Sequence, residues 1–151
     1  GIGSPHGDDR VGWEIANAIQ SRINGEAASV RLLRTPDELL DWMEDTQELV
    51  ICDACQGAGE IGSVHQWEWP CAVLESISWS GTHNLSLLAV LALAHQLGRL
   101  PASVRIWGVE VQQVQPDQSM SNTVITGAKN AADSICKTLC FRLNETEKQH
   151  A

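Results

Sequence analysis

The chain has 151 residues and an apolar fraction of 43%, enough for one globular domain around a single sizeable core. Its formal net charge of −9 and pI of about 4.8 argue against a nucleic-acid backbone or an anionic membrane as partner. No apolar run approaches the roughly 20 residues of a spanning helix and no basic, then apolar, leader is visible, which reads as a cytoplasmic protein.

The chain opens with GIGSPHGDDRVGW, residues 1–13. A glycine-rich turn of this kind normally follows a strand, so most of a first, central strand is expected ahead of Gly1. Val11, Ile15, Ala18, Ile19 and Ile23 then recur at helical spacing, predicting a helix over 9–23 ended by Asn24-Gly25. SVRLLR (29–34) reads as a short strand. TPDELLDWMEDT reads as a helix with a capping box, Thr35 at the N-cap, Pro36 at N1 and Glu38 at N3. ELVICDA (48–54) is a nearly continuous apolar run, as expected of a strand buried on both faces. GSVHQWEW (62–69) alternates as an unevenly covered strand would, near a sheet edge. LESISWSGTHN reads as a loop. The Leu- and Ala-rich segment that follows, closed by Gly98 and Pro101, reads as a well-buried helix. SVRIWGVEV (103–111) is another strand, and 122–142 a final amphipathic helix.

Alternating strands and helices predict an α/β protein: a three-layer α/β/α sandwich with a mostly parallel, mixed central sheet whose first strand is truncated. Residues 1–143 read as one domain and 144–151 as a polar C-terminal tail. The five cysteines, Cys52, Cys55, Cys71, Cys136 and Cys140, are odd in number and read as reduced thiols. The C-x-x-C pair at 52 and 55 has no second pair at zinc spacing, so packing is its simpler reading.

In an open α/β sheet, ligands gather at the carboxyl ends of the strands. The sequence places Asp8, Asp9, Asp53, His83 and Glu110 there. A charged residue that closes an apolar strand needs a partner to offset its desolvation. Asp9, Asp53 and His83 make a compact set of two carboxylates and one imidazole, suited to a first-row divalent ion such as nickel or zinc. Plainer readings stay open. Asp8 or Asp9 can cap the first helix, Asp53 can accept amides of QGAG in an Asx turn, and His83 can bond a carbonyl at a helix start. His6 is an auxiliary contact at most, while His65 and His95 read as packing or surface residues. Trp67, Trp69 and Trp79 read as core in preference to a partner surface. No G-x-S-x-G elbow is present.

Taken together, GIGSPHGDDRVGW, VICDACQGAGEIGSVHQWEW, GTHNLSLLAVLALAHQLGRLP and VRIWGVEV resemble, in order, the blocks of the nickel–iron hydrogenase maturation endopeptidases, over about residues 1–135. The resemblance implies a peptidase that removes a C-terminal extension from a hydrogenase large-subunit precursor after nickel insertion, using that nickel for recognition. It implies metal contacts at Asp9, Asp53 and His83, catalytic roles for Asp9 and Asp53, and substrate contacts at Ser4 and Asp8. The nickel would arrive with the substrate, or another divalent metal would sit in the isolated protein. No other cofactor is implied, and the protein would work as a monomer on its precursor, away from nucleic acid and membrane. The chain departs from the family pattern in three places. Ser4 stands where Asn is usual, the loop before the acid pair is shorter, and LLRTPDEL replaces an Asp-Gly-Gly-Thr segment, leaving Asp37 out of register. Two alternatives stand beside the peptidase: a non-proteolytic chaperone for a metal-loaded partner, and a nucleotide- or phosphate-binding domain. The second is disfavoured by the Asp8-Asp9 charges and by a second strand that ends in Arg34-Thr35 rather than in an acid.

Overall fold

The computed structural model describes residues 1–26, 28–79, 85–112 and 118–150. Four strands form one sheet: β1 (Glu48–Gln56), β2 (Val64–Glu68), β3 (Ser78–Trp79) and β4 (Ser103–Glu110), in the order β2-β4-β1-β3. β1 and β4 are parallel along their length, from Glu48 opposite Ser103 to Cys55 opposite Glu110. β2 and β3 pair antiparallel at the two sides. The sheet is mixed, as expected, and β2 is an edge strand whose residues alternate between half-buried and exposed from His65 to Glu68.

Side chains from β1 and β4 divide between two apolar layers, as the period of a strand dictates. Cys52, Ala54 and Val109 face Val11 and Ile15 of α1 (Val11–Gln20) and Val124, Ala131 and Ile135 of α3 (Asn122–Gln149). Ile51, Val104 and Ile106 face Leu87, Val90 and Leu91 of α2 (Leu87–Gln96), with Leu39 and Met43 beside them. This is the three-layer arrangement anticipated from the alternation of elements.

Several predicted boundaries shift. The first helix is α-helical only from Val11; Gly7–Arg10 is a tighter 3-10 turn in front of it. The predicted strand over 29–34 reduces to one parallel bridge, Leu33 with Ile2. The predicted helix after Thr35 is a 3-10 segment, Pro36–Asp41. Its capping box is displaced: Glu38 accepts from the Arg34 N–H at 3.3 Å and from the Thr35 hydroxyl at 3.4 Å, and the Thr35 side chain caps no backbone N–H. The segment read as one loop contains the 3-10 turn Ala72–Ser76 and β3. α2 begins one turn later than His83, with Ser86 accepting from the Ala89 N–H at 3.2 Å; Leu93 is exposed on it, as is Leu97 just past its end, so it is less buried than its composition suggests. α3 runs on through Gln149, so most of the polar tail is helical.

Residues 1–3 lie between β1 and Leu33. The Ile2 N–H donates to the Cys52 carbonyl at 2.8 Å, the Gly3 N–H to Leu33 at 3.0 Å, and the Leu33 N–H to Gly1 at 2.8 Å. The first helix can approach this seam because residue 12 is glycine. A Cβ there would stand 2.0 Å from the Ile2 oxygen and 2.6 Å from the Cys52 oxygen, both far inside van der Waals contact.

Candidate active site at the carboxyl ends of the strands

The 3-10 turn Gly7–Arg10 packs against β1, which brings the acid pair to the sheet. The turn is closed locally: the Asp9 N–H donates to the His6 carbonyl at 3.2 Å, and the Ser4 N–H to the Asp9 carbonyl at 3.4 Å. Gly3 lets this happen, since a Cβ on it would stand 2.7 Å from the Asp9 oxygen. Ser4 also accepts from the His6 N–H at 3.4 Å, so its hydroxyl helps to shape the turn.

The two adjacent acids do different things. Asp8 reaches across the molecule and accepts from the backbone N–H of Ser121 at 2.7 Å and from its hydroxyl at 3.1 Å. Ser121 is the N-cap residue of α3. Asp8 therefore caps neither the first helix nor its own turn; it secures the start of the last one. Asp9 keeps its Oδ1 buried and has no hydrogen-bond partner for that atom among the described residues. A buried carboxylate oxygen left in this way costs about 1–3 kcal/mol, which a packing role does not explain.

Asp53 is fully buried near the end of β1. Its Oδ1 accepts from the Ala54 N–H at 2.8 Å, while the Gly57 and Ala58 amides of QGAG, considered as its donors in an Asx turn, donate to Glu110. By the alternation of β1, Asp53 shares a face with Ile51 and thus with the α2 layer. His83 lies outside the described residues, in the segment that leads into α2. Among the described residues no three His, Cys, Asp or Glu side chains form a group that could hold a metal ion. The residues described thus bring the two carboxylates to one end of the sheet without a third ligand from their own number.

Glu110 has a part that its position only hinted at. It is 6% exposed and accepts from two successive backbone amides, Gly57 at 2.8 Å and Ala58 at 2.9 Å. It thereby folds the loop that follows Asp53 and Cys55 back over the sheet end. Cys55 lies opposite it in register, with its thiol 3.9 Å from Oε2. Burial, and next the Glu110 carboxylate, push the Cys55 thiol up to about 12. Burial pushes the Cys52 thiol up to about 11. Both are protonated at neutral pH, which makes poor nucleophiles of them.

His65 and His95 both have aromatic neighbours. His65 stacks on Trp67 with centroids 5.6 Å apart and receives or donates a 2.8 Å bond with the Ser63 hydroxyl. His95 lies 5.6 Å from Trp69. Trp67, Trp69 and Trp79 are half-buried against the α2-side core, and Trp67 meets Trp79 edge to face at 5.7 Å. Asp37 sits in the first turn of the Pro36–Asp41 segment, as its sequence position implied. His6 is exposed and its side chain makes no hydrogen bond with any described residue.

No curated protein sequence matches the chain. Among solved structures, the hydrogenase maturating endopeptidase HybD from E. coli superposes with a TM-score of 0.73 at 22% identity, over 94% of this chain and 90% of that one. A [NiFe] hydrogenase maturation protease HycI from Thermococcus kodakarensis KOD1 gives 0.70 at 21% identity over 92% and 88%. A hydrogenase 2 maturation peptidase from Thaumarchaeota archaeon SCGC_AB-539-E09 gives 0.69 at 20% over 92% and 94%. These likenesses establish the fold. The model of one sequence family, hydrogenase maturation protease, matches residues 30–138, well over half of the chain. The chain is therefore a member of the hydrogenase maturation protease family, and a peptidase.

Proposed function

We propose that this peptidase removes a C-terminal extension from the large-subunit precursor of a nickel–iron hydrogenase, after nickel insertion, at the cleft formed by Asp9, Asp53 and His83. The observation that carries the reading is the Asp9 Oδ1, buried without a hydrogen-bond partner among the described residues at the carboxyl end of the sheet. An oxygen held in this state is disposed to meet a cation or a donor brought by the substrate. The nickel belongs to the precursor and is part of the substrate. Two carboxylates and an imidazole are a donor set that a borderline divalent ion accepts.

The chemistry follows from the same groups. The precursor's metal centre seats against Asp9, Asp53 and His83 and sets the scissile peptide bond beside them. A carboxylate, Asp9 in this reading, takes a proton from water as the water oxygen adds to the peptide carbonyl. Collapse of the tetrahedral adduct breaks the C–N bond, and the proton passes to the departing amine. Asp53, rigidly held by its bond to the Ala54 N–H, orients the substrate. Ser4 supports the loop, and Asp8, anchored on Ser121, holds the substrate-side rim. The protein works as a monomer in the cytoplasm in this reading; no described helix is long and apolar enough to cross a membrane.

The test is cleavage of a purified precursor, read as a mass loss of the large subunit, with nickel-loaded and nickel-free precursor side by side. Cleavage of the loaded form alone is expected, together with its loss in Asp9→Asn and in His83→Ala. Full processing by an Asp9→Ala/His83→Ala double variant overturns the site. Tight binding of loaded precursor without any cleavage would favour the chaperone alternative.

A further inference from the structure

Two pairs of cysteines stand close in the sequence, and the fold treats them differently. Cys52 and Cys55 have the C-x-x-C spacing, yet they are three apart on a strand, so their side chains leave opposite faces of β1. Cys52 packs among the α1 and α3 side chains, and the Cys55 thiol meets Glu110. These two cannot close on one atom. Cys136 and Cys140 are four apart on α3, which sets them on one face of the helix, one turn above the other. Both are free thiols; Cys136 is buried and Cys140 exposed.

Distance decides what such a pair can do. Side chains four apart on a helix have Cβ atoms about 5–6 Å from each other. A disulfide needs about 3.5–4.5 Å, so the pair is too wide for one while the helix stays wound. Two metal–thiolate bonds of about 2.3 Å span up to about 4.6 Å between sulfurs, a separation that thiols at the helical spacing reach. Helical side chains also lean toward the N-terminus, so Cys140 leans back over the turn that carries Cys136. The surroundings suit a charged bridge. Arg22 is held at 2.5 Å by Asp133, one turn before Cys136. Burial raises the pKa of the Cys136 thiol, and the Arg22 guanidinium opposes that rise by its charge and by a side-chain hydrogen bond.

The number of ligands selects the ion. Among the described residues no three His, Cys, Asp or Glu side chains gather at one point, so an ion that demands four protein ligands, as structural zinc does, finds no complete set at this pair. Two thiolates alone suit a soft ion that accepts two-coordination. With a monovalent ion the bridge carries one net negative charge, which the Arg22 guanidinium offsets.

We infer that Cys136 and Cys140 form a chelating site for a soft monovalent cation of the copper(I) class on the C-terminal half of α3. On binding, both thiols give their protons to solvent and no electron is transferred. The site is separate from the hydrolytic carboxylates. Asp8 of the glycine turn holds Ser121 at the start of α3, and Cys136 lies roughly 22 Å further along that helix, at about 1.5 Å per residue.

The experiment titrates the protein with Cu(I) under argon, in competition with the chromogenic chelator bicinchoninate. Withdrawal of one Cu(I) per chain is expected, with thiolate-to-copper absorption in the ultraviolet and protection of Cys136 and Cys140 from alkylation. Cys136→Ser and Cys140→Ser should each weaken binding by about 10²-fold or more, because one thiolate loses the effective concentration of its neighbour; Cys140→Ser, at an exposed position, stays informative if Cys136→Ser fails to fold. Cys71→Ser should leave the affinity unchanged. The pair Cys140→Ser/Thr138→Cys keeps the number of thiols but moves one off the shared face, and should not restore binding. No withdrawal of Cu(I), undiminished affinity in Cys140→Ser, or restoration by Thr138→Cys overturns the proposal. So does one Cu(I) per two chains with a copper-dependent dimer in sedimentation, since Cys140 would then be bridging copies of the chain.

Discussion

Asp8 holds Ser121 by both of its carboxylate oxygens, at 2.7 Å to the backbone N–H and 3.1 Å to the hydroxyl. These two residues are 113 positions apart in the chain, and the contact ties the glycine turn to the N-cap of α3. A charged acceptor at a helix start is favourable both as a hydrogen-bond partner and against the helix dipole. Asp8→Ala should lower stability by about 1–2 kcal/mol, or about 2–8 °C in Tm at the 2–4 °C per kcal/mol expected for a chain of this length. Thermal unfolding of Asp8→Ala beside Ser121→Ala, and of the double variant, checks the coupling: the double variant should be less destabilised than the sum of the singles.

Asp9 should behave in the opposite way. Its Oδ1 is buried and lacks a hydrogen-bond partner among the described residues, so its removal relieves a desolvation cost. Asp9→Asn or Asp9→Ala should leave stability unchanged or raise it by up to about 1 kcal/mol, while precursor processing falls by roughly 10²-fold or more. Urea unfolding and the mass-shift assay on the same preparations test the two halves. A variant that loses stability and retains processing would assign Asp9 to the scaffold.

Glu110 accepts the Gly57 and Ala58 amides from a position 6% exposed. Glu110→Ala strands both donors in a site that water reaches poorly, and should cost about 2–4 kcal/mol. Glu110→Gln can satisfy one amide through its carbonyl and should cost less. Because the loop follows directly on the strand that carries Asp53, amide exchange at 57 and 58 should accelerate in the alanine variant ahead of global unfolding.

The buried thiols make a pH prediction. Cys52 and Cys55 have folded-state values of about 11 and about 12, against an ordinary 9.0, with burial the leading cause in each. A group whose pKa is raised by folding stabilises the fold below the unfolded value and loses that contribution as pH climbs toward the folded one. Stability should thus hold to about pH 9 and then fall towards pH 11, by up to about 1.4 kcal/mol per pH unit for each thiol. Urea midpoints across that range should decline less steeply in Cys52→Ala. At pH 8, alkylation should reach exposed Cys140 well before either buried thiol.

By itself the sequence determined the layers. ELVICDA and SVRIWGVEV are apolar on both sides, and such runs can only be interior strands; the amphipathic and Leu-rich segments between them had to cover the two faces. It also determined that acids stand where strands end, which singled out Asp9 and Asp53, and the motif blocks pointed to the right family. Local pattern was weaker where a segment depends on distant neighbours. SVRLLR has the composition of a strand, yet among the described residues it keeps a single bridge, Leu33 with Ile2, because a ladder needs a partner strand that local pattern does not supply. The capping-box spacing at Thr35 does not close its box: the Thr35 side chain caps no backbone N–H, and Glu38 accepts from the Arg34 N–H instead. Only the tertiary structure separated two adjacent aspartates, leaving Asp9 a buried oxygen with no hydrogen-bond partner among the described residues and giving Asp8 to Ser121. The reason is physical: a carboxylate's role is set by the donors that reach it, and the donors for Asp8 come from the far end of the chain. The same holds for Glu110, whose two amides lie more than 50 positions away and become neighbours only once β1 and β4 are paired.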